Sequence, residues 1–182
     1  MKGRPDLATD DRRGLVLVMT GRGKGKTTAA VGQAIRAAGN GLSVKYFQFL
    51  KGTWNYGELD VLRSIPNLEV ERMKTGFTWE PDRLEEDRAL AAAMWRSART
   101  AVLSREYDLV VLDDVNYLVH YRLLAIGEVL DLLRRRPSRV HVVLTGRSAS
   151  PEILEAADQI TEMTDVKHHF RSGVLAQSGI EY

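Results

Sequence analysis

The most informative segment for the class of fold is residues 14–28, which read GLVLVMTGRGKGKTT. Its first part, Gly14 to Met19, is a short continuous apolar run, which is typical of a strand buried on both faces of a parallel sheet. A glycine-rich turn follows, and then an alanine-rich segment, Thr27 to Ala38, which has the composition of a helix. A strand, a glycine turn and a helix in this order predict an anion site, because successive backbone N–H groups and the helix N-terminus point inward.

The turn carries the Gly-Lys-Thr signature of a P-loop, although position 20 holds threonine where the generic pattern has glycine. We expect Lys26 to place its ammonium among phosphate oxygens and Thr27 to give its hydroxyl to a magnesium ion. Arg22 and Lys24 add charge, but they are equally well explained as solvated loop cations. The residues predicted to bind ATP phosphates in this loop are Gly21, Arg22, Gly23, Lys24, Gly25, Lys26, Thr27 and Thr28.

Strand-like and helix-like segments alternate along the rest of the chain. The further predicted strands are Ser43–Leu50, Leu68–Arg72, Leu109–Asp113, Val140–Thr145 and Ile160–Met163. The further predicted helices are Leu59–Ser64, Asp82–Arg105, Ile126–Arg135 and Pro151–Ala157. This order predicts an α/β fold, a single P-loop NTPase-like (RecA-like) domain with a mostly parallel sheet and helices on both faces. We place the domain at residues 14–182, after a polar N-terminal segment at residues 1–13.

Composition excludes several classes of protein. The chain has 182 residues and a formal net charge of +2, which is too small to indicate nucleic-acid binding. It has no cysteine, which excludes a disulfide framework, a thiolate zinc site and a cysteine nucleophile. No run approaches the ~18 apolar residues of a membrane span, and the N-terminus lacks the apolar core of a secretory signal. We therefore expect a cytoplasmic protein that binds neither nucleic acid nor membrane.

Polar side chains follow two later strands of the predicted sheet. The strand LVVLD ends on Asp113 and Asp114, and the strand ending at Thr145 is followed by Arg147. Ligands of parallel sheets bind beyond the carboxyl ends of the strands. We expect at least one carboxylate to meet a metal, since two adjacent aspartates exceed what a helix cap needs. Arg147 either reaches a phosphate or lies exposed in a loop, and Asn116 is predicted to be a local turn or cap residue.

Six motifs, in order, resemble the P-loop type of ATP:corrinoid adenosyltransferase. They are TGRGKGKTTAA, QFLKGTW, TGFTWE, LVVLDD, LTGRS and VKHHFRSGVLAQSGIEY, and they are spread over about residues 14–182, nearly the whole chain. Many families share the phosphate loop, whereas TGFTWE together with the tail is more specific. The resemblance implies transfer of the 5′-deoxyadenosyl group of ATP to Co(I) of a corrinoid, with release of tripolyphosphate. It also implies a homodimer, Mg²⁺ or Mn²⁺, a transient electron donor (a reductase), and ATP reversed along the loop.

The resemblance assigns a role to the aromatic loop. Phe77 and Trp79 would close over the lower face of the corrin ring and exclude water and the lower axial base. Co(II) would then be four-coordinate and easier to reduce to Co(I). Apart from the resemblance, both aromatics would be explained as residues that pack on the core of the domain.

The resemblance also distributes roles around the phosphates. Lys26, Thr27 with the metal, Arg147 and Arg36 would neutralise the leaving group, and Asp114 would be the carboxylate on the metal side. Co(I) is itself a strong nucleophile, so no serine, cysteine or general base is needed.

Two departures from the family pattern bear on metal choice and rate. Arg22 stands where the family commonly has asparagine, and Asp114 stands where it commonly has glutamate. Two other functions remain open from sequence: a P-loop ATPase or kinase that cleaves the γ-phosphate, and a non-catalytic regulator that binds a corrinoid or a nucleotide.

Overall fold

A parallel sheet flanked by helices organises the computed structural model, which describes residues 13–50, 56–73 and 84–182. The strands in this part of the chain are β1 (Val16–Thr20), β2 (Val44–Gln48), β3 (Leu68–Arg72), β4 (Leu109–Asp113), β5 (His141–Thr145) and β6 (Gln159–Glu162). The helices are α1 (Lys26–Gly39), α2 (Gly57–Arg63), α3 (Leu84–Ser104), α4 (Val115–His120), α5 (Ile126–Arg135) and α6 (Pro151–Glu155), with a 3-10 helix at His169–Ser172. The predicted α/β class is confirmed.

The strand order brings the predicted site residues to one edge of the sheet. The order is β3-β2-β4-β5-β1-β6, and each neighbouring pair is parallel. Because parallel strands all end at the same edge, the loop after β1 lies at the same edge as Asp113 at the end of β4 and Thr145 at the end of β5. Strand β5 lies directly between β4 and β1, so these three strand ends are adjacent.

Helices cover both faces of the sheet, as the sequence predicts. In β4, Val110 and Leu112 belong to a hydrophobic cluster that includes residues of α3, α5 and α6. Leu109 and Val111 belong to a second cluster, which includes residues of α1. Successive side chains of a strand point to opposite faces, so this alternation separates the two halves of the core.

Alanines make the buried face of α1. Ala30, Ala34, Ala37 and Ala38 are buried there, at the spacing of one helical face. Small side chains let the helix axis approach the sheet closely. The first residue of α1 is Lys26, so the helix delivers this lysine to the sheet edge where the strands end.

The element boundaries agree with the predictions to within a few residues, but α4 and the 3-10 helix at His169–Ser172 were not predicted. β3, β4 and α5 have the predicted bounds. Helix α4 was not predicted, and Asn116, predicted to be a turn or cap residue, is a buried residue inside it. The helix was missed because Asp114 turns the chain in a single left-handed residue (φ 66°), and because six residues are too few to show a helical period.

Within the described residues, none of the helices combines the length and the apolar character needed to cross a membrane. Residues 1–12 lie outside the described residues, so the division into an N-terminal segment and a domain from residue 14 stays a prediction.

Candidate active site

The predicted phosphate loop connects β1 directly to α1. Gly25 adopts a left-handed conformation (φ 115°) just before the helix, and its carbonyl accepts a hydrogen bond from the N–H of Ala29 (2.8 Å). Lys26 is buried, and its ammonium donates to the carbonyls of Gly21 (2.8 Å) and Gly23 (2.6 Å). These contacts hold a positive charge inside the curl of the loop.

The segment after β6 packs against the back of this loop. The N–H of Gly23 donates to the carbonyl of Met163 (2.6 Å), and the N–H of Met163 donates to the carbonyl of Thr20 (2.9 Å). A Cβ atom at Gly21 would lie 2.5 Å from the Met163 carbonyl oxygen, and one at Gly23 would lie 2.8 Å from it. The glycines are thus required by the close approach of another part of the backbone.

Thr20 stands where the generic loop pattern has glycine. Its side chain is mostly buried, and its hydroxyl accepts a hydrogen bond from the N–H of Ala149 (3.4 Å). The threonine therefore links the start of the phosphate loop to the segment that follows β5.

The two aspartates at the end of β4 have different surroundings. Asp113 is fully buried, and its Oδ1 accepts a hydrogen bond from the hydroxyl of Thr145 (2.6 Å). The same hydroxyl oxygen accepts from the backbone N–H of Asp114 (2.8 Å). Asp114 begins α4 and lines a cavity beside the phosphate loop.

Buried polar side chains surround Asp113 on the sheet. Gln48 is its register partner on β2, and Tyr46 lies on the same face of that strand. Burial, reinforced by the negative charge of the nearby Asp113, raises the pKa of Tyr46 well above its usual value. The Tyr46 hydroxyl faces the Asp113 carboxylate, and within the described residues neither end of the Gln48 amide has a hydrogen-bond partner.

A cavity of about 590 Å³ opens above the loop and collects most of the predicted residues. The site residues expected from sequence that line this cavity are Gly23, Lys24, Gly25, Lys26, Thr27, Thr28, Asp114 and Arg147. Its volume falls within the ~300–1,000 Å³ of typical small-ligand pockets. The cationic side chains of Lys24, Lys26 and Arg147, together with acidic residues that include Asp114, suit a polyphosphate with a bound cation.

A second cavity of about 340 Å³ adjoins the first through Arg147, which lines both. Its lining residues are Arg22, Arg147, Glu162, Thr164, Asp165 and Arg171. Arg171 forms an ion pair with Asp165 across this cavity (2.5 Å). Arg22, predicted to bind ATP, therefore faces a mixed-charge cavity beside the main one.

Among the described residues, two predicted site residues, Gly21 and Arg36, line neither cavity. Arg36 lies exposed in the last turn of α1, about 15 Å along the helix from Lys26 at 1.5 Å per residue. Phe77 and Trp79 lie outside the described residues. In the sequence they fall between β3 and α3, and β3 ends at the same sheet edge as the phosphate loop.

The C-terminal tail supplies lining residues that reasoning from single residues missed. Residues 179–182 and His168 line the main cavity, together with Tyr56, Gly57, Glu58 and Tyr117. Glu181 lies 4.0 Å from the ammonium of Lys24 and 3.5 Å from Nε2 of His169. The motif GIEY at residues 179–182 was the available signal, but the tail shows no periodicity that would place it beside the loop.

The donor set fits a divalent cation of the magnesium type. Thr27 and Asp114 offer a hydroxyl and a carboxylate to the same cavity, and such hard oxygen ligands suit Mg²⁺ or Mn²⁺. In the described part of the chain, no group of three or more His, Asp or Glu residues is placed to hold a metal alone. This agrees with an ion that takes its other ligands from phosphates and water.

Comparisons with known proteins give a consistent result. The sequence model of the family described as ATP:corrinoid adenosyltransferase BtuR/CobO/CobP matches residues 12–182. The chain is 44% identical over 172 residues to a corrinoid adenosyltransferase of Escherichia coli (strain K12), covering 94% of this chain and 87% of that protein. It is also 44% identical over 172 residues to the corrinoid adenosyltransferase CobA of Salmonella typhimurium, with the same coverage. A corrinoid adenosyltransferase of Pseudomonas aeruginosa is 42% identical over 173 residues, covering 94% and 85% of the two chains.

Proposed function

The chain belongs to the ATP:corrinoid adenosyltransferase family and transfers the adenosyl group of ATP to a corrinoid, and we propose that it does so in the cavity above the phosphate loop. In the proposed reaction, Co(I) of the corrinoid donates an electron pair to the 5′ carbon of the ATP ribose. The bond between that carbon and the α-phosphate oxygen breaks, and the oxygen keeps its electron pair. Tripolyphosphate leaves, and cobalt becomes formally Co(III).

One observation carries the proposal: the main cavity unites the phosphate loop, Asp114 and Arg147. The leaving group concentrates negative charge on three linked phosphates. Lys26, held buried by two carbonyls, and Arg147 would stabilise that charge without having to reorganise during the reaction. The loop N–H groups and the N-terminus of α1 add to the same field.

The proposed reaction requires no general base in the protein, because the cobalt nucleophile carries no proton. The corrinoid brings the nucleophile, so the protein must align it with the 5′ carbon and hold the phosphates. We propose that Thr27 and Asp114 hold Mg²⁺ or Mn²⁺ against the phosphates. When bound, the ion supplies positive charge to the phosphate oxygens.

We propose that Phe77 and Trp79 cover the lower face of the corrin ring, as the motif TGFTWE suggests. They would displace water and the lower axial base before reduction. The end of β3 at the ligand-binding edge of the sheet supports this position for the segment that follows it. Family membership also supports two proposed partners: a second copy of the chain, and a reductase that supplies the electron to Co(II).

The product mixture tests the proposed function. The protein is incubated with ATP, Mg²⁺ and chemically reduced corrinoid, and the reaction is followed by visible spectra and phosphorus NMR. We expect one inorganic tripolyphosphate for each adenosylated corrinoid, with no matching ADP. Stoichiometric ADP and orthophosphate would contradict the proposed chemistry and indicate γ-phosphate cleavage. Binding of corrinoid without any product would indicate a regulator.

A further inference from the structure

We propose that Asp113, unlike Asp114, does not meet the ATP-bound metal and is a positioning residue, which acts through Thr145 to orient Asp114. The inference rests on the proposed function, because it concerns the metal site of that cavity. It assigns a task to Asp113, for which the sequence and the family resemblance gave none.

The first support is a chain of two hydrogen bonds through one hydroxyl. The Thr145 hydroxyl donates its proton to Oδ1 of Asp113 (2.6 Å), so its oxygen is free to accept from the N–H of Asp114 (2.8 Å). Asp113 thereby fixes the rotation of the hydroxyl, and the hydroxyl fixes the backbone of Asp114. The pair also ties the end of β4 to the end of β5.

The second support is the conformation of Asp114. Its φ of 66° lies in the left-handed region, which residues other than glycine rarely occupy. The N–H bond to Thr145 holds the residue there, and its carbonyl accepts from the N–H of Tyr117 (3.1 Å) to start α4. This turn is what takes the chain out of the strand at Asp114, the residue that lines the cavity with Thr27.

The third support is the contrast in surroundings. Asp113 has 0% of its surface exposed and does not line either cavity found in the described residues, whereas Asp114 lines the main one. The neighbours of Asp113 on β2 are Tyr46 and Gln48, both fully buried. A carboxylate enclosed by the sheet in this way is placed to hold Thr145, and it is not placed to reach a nucleotide.

The test measures Mn²⁺ binding to the full chain in the presence of ATP, by electron paramagnetic resonance of free Mn²⁺. We expect Asp113→Asn to bind Mn²⁺ within about threefold of the unchanged protein, since the amide oxygen still accepts from Thr145. We expect Asp114→Asn to weaken Mn²⁺ affinity about tenfold or more. Thr145→Val removes the hydroxyl that links Asp113 to Asp114. We expect it to weaken Mn²⁺ affinity about tenfold to 100-fold, the usual effect of losing a residue that hydrogen-bonds to a metal ligand. Thr145→Ser keeps the hydroxyl and should restore binding.

Metal-free ATP binding, measured by calorimetry with a chelator present, shows whether a variant has lost metal binding alone or has also lost ATP binding. We expect Asp113→Asn, Thr145→Val and Thr145→Ser to bind ATP without metal as the unchanged protein does. Equal loss of Mn²⁺ in Asp113→Asn and Asp114→Asn would overturn the proposal, as would normal Mn²⁺ binding by Thr145→Val. If Thr145→Val does not fold, Asp113→Ala, which removes the acceptor of the Thr145 hydroxyl, takes its place: weaker Mn²⁺ binding than in Asp113→Asn supports the positioning role, and equal binding overturns it.

The product assay of the proposed function is run in parallel on the unchanged protein. Tripolyphosphate formation together with equal losses in the two aspartate variants would overturn the positioning role and leave the proposed chemistry standing.

Discussion

The N–H of Gly23 in the phosphate loop donates a 2.6 Å hydrogen bond to the carbonyl of Met163, a residue 140 positions later in the chain. Met163 follows β6, the edge strand that pairs with β1. The shape of the loop is therefore set from outside as well as by its own glycines. A change that separates Gly23 from Met163 should therefore alter the conformation of the phosphate loop more than that of the sheet.

Gly23→Ala is expected to destabilise the protein and weaken ATP binding. The added Cβ would lie 2.8 Å from the Met163 carbonyl oxygen, so one of two backbones must move, at a cost of about 1–3 kcal/mol. Gly32→Ala is the matched control, because a Cβ in the middle of α1 meets nothing within 4 Å. It should raise the free energy of unfolding by about 0.4–1 kcal/mol. Urea unfolding measures the stability of both variants, and calorimetric titration measures their affinity for ATP. A Gly23→Ala protein as stable as Gly32→Ala would show that the loop accommodates the added Cβ at no cost in stability.

Lys26→Ala is expected to reduce turnover by ~10² to 10³ while the fold is retained. Removal of one preorganised charge-stabilising group typically costs ~3–4 kcal/mol of transition-state stabilisation. The measurement is kcat and KM for ATP with pre-formed Co(I) corrinoid, beside a circular dichroism spectrum. Arg134→Ala removes an equal charge from the exposed end of α5 and should leave the rate unchanged. Near-normal turnover of Lys26→Ala at saturating ATP would mean that the loop has another task.

Phe77→Ala and Trp79→Ala are expected to slow the reaction more when it starts from Co(II) with a reductase than when it starts from Co(I). The reason is that their proposed task, removal of the lower ligand, precedes reduction. Electron paramagnetic resonance of Co(II) corrinoid with ATP should show a four-coordinate signal that weakens in both variants. An unchanged signal, or loss of the fold in both variants, would instead indicate that the two aromatics pack in the core.

Stability is expected to fall as the pH drops from about 7 towards 5, in part because of His141. Its Nδ1 accepts a hydrogen bond from the N–H of Leu15 (3.1 Å), which requires the neutral ring. Burial lowers the pKa of His141, and Arg136 adds to this effect while Asp108 opposes it. The folded state therefore binds this proton less readily than the unfolded state, so the stabilisation is present above the usual histidine pKa near 6.5 and is lost at lower pH.

Urea unfolding at several pH values checks the role of His141. His141→Gln keeps an acceptor near Leu15 but cannot titrate, so its stability should vary less with pH in this window. His120→Gln, which removes an exposed histidine of α4, is the control. Identical pH profiles for the unchanged protein and His141→Gln would contradict this explanation.

The class of fold and the position of the phosphate loop could be predicted from the amino-acid sequence alone. Apolar runs such as residues 109–113 and the alanine-rich helix that starts at Lys26 are local signals, because strand and helix periods repeat within a few residues. The Gly-Lys-Thr motif is equally local, since its task is carried out by consecutive backbone N–H groups. The family followed from motifs spread over the whole chain, which the matched relatives confirm.

How residues from distant positions share the site follows from the three-dimensional arrangement of the strands and could not be read from the sequence. The resemblance assigned Asp114 to the metal and gave Asp113 no task, whereas the structure shows that the hydroxyl of Thr145, 32 and 31 positions away, links the buried Asp113 to the backbone of Asp114 beside the cavity. The tertiary structure also placed residues 179–182 beside the loop and left Arg36 exposed at the far end of α1. Such contacts depend on the order of the strands in the sheet and on which face of each element is covered. Local sequence patterns predict neither of these features.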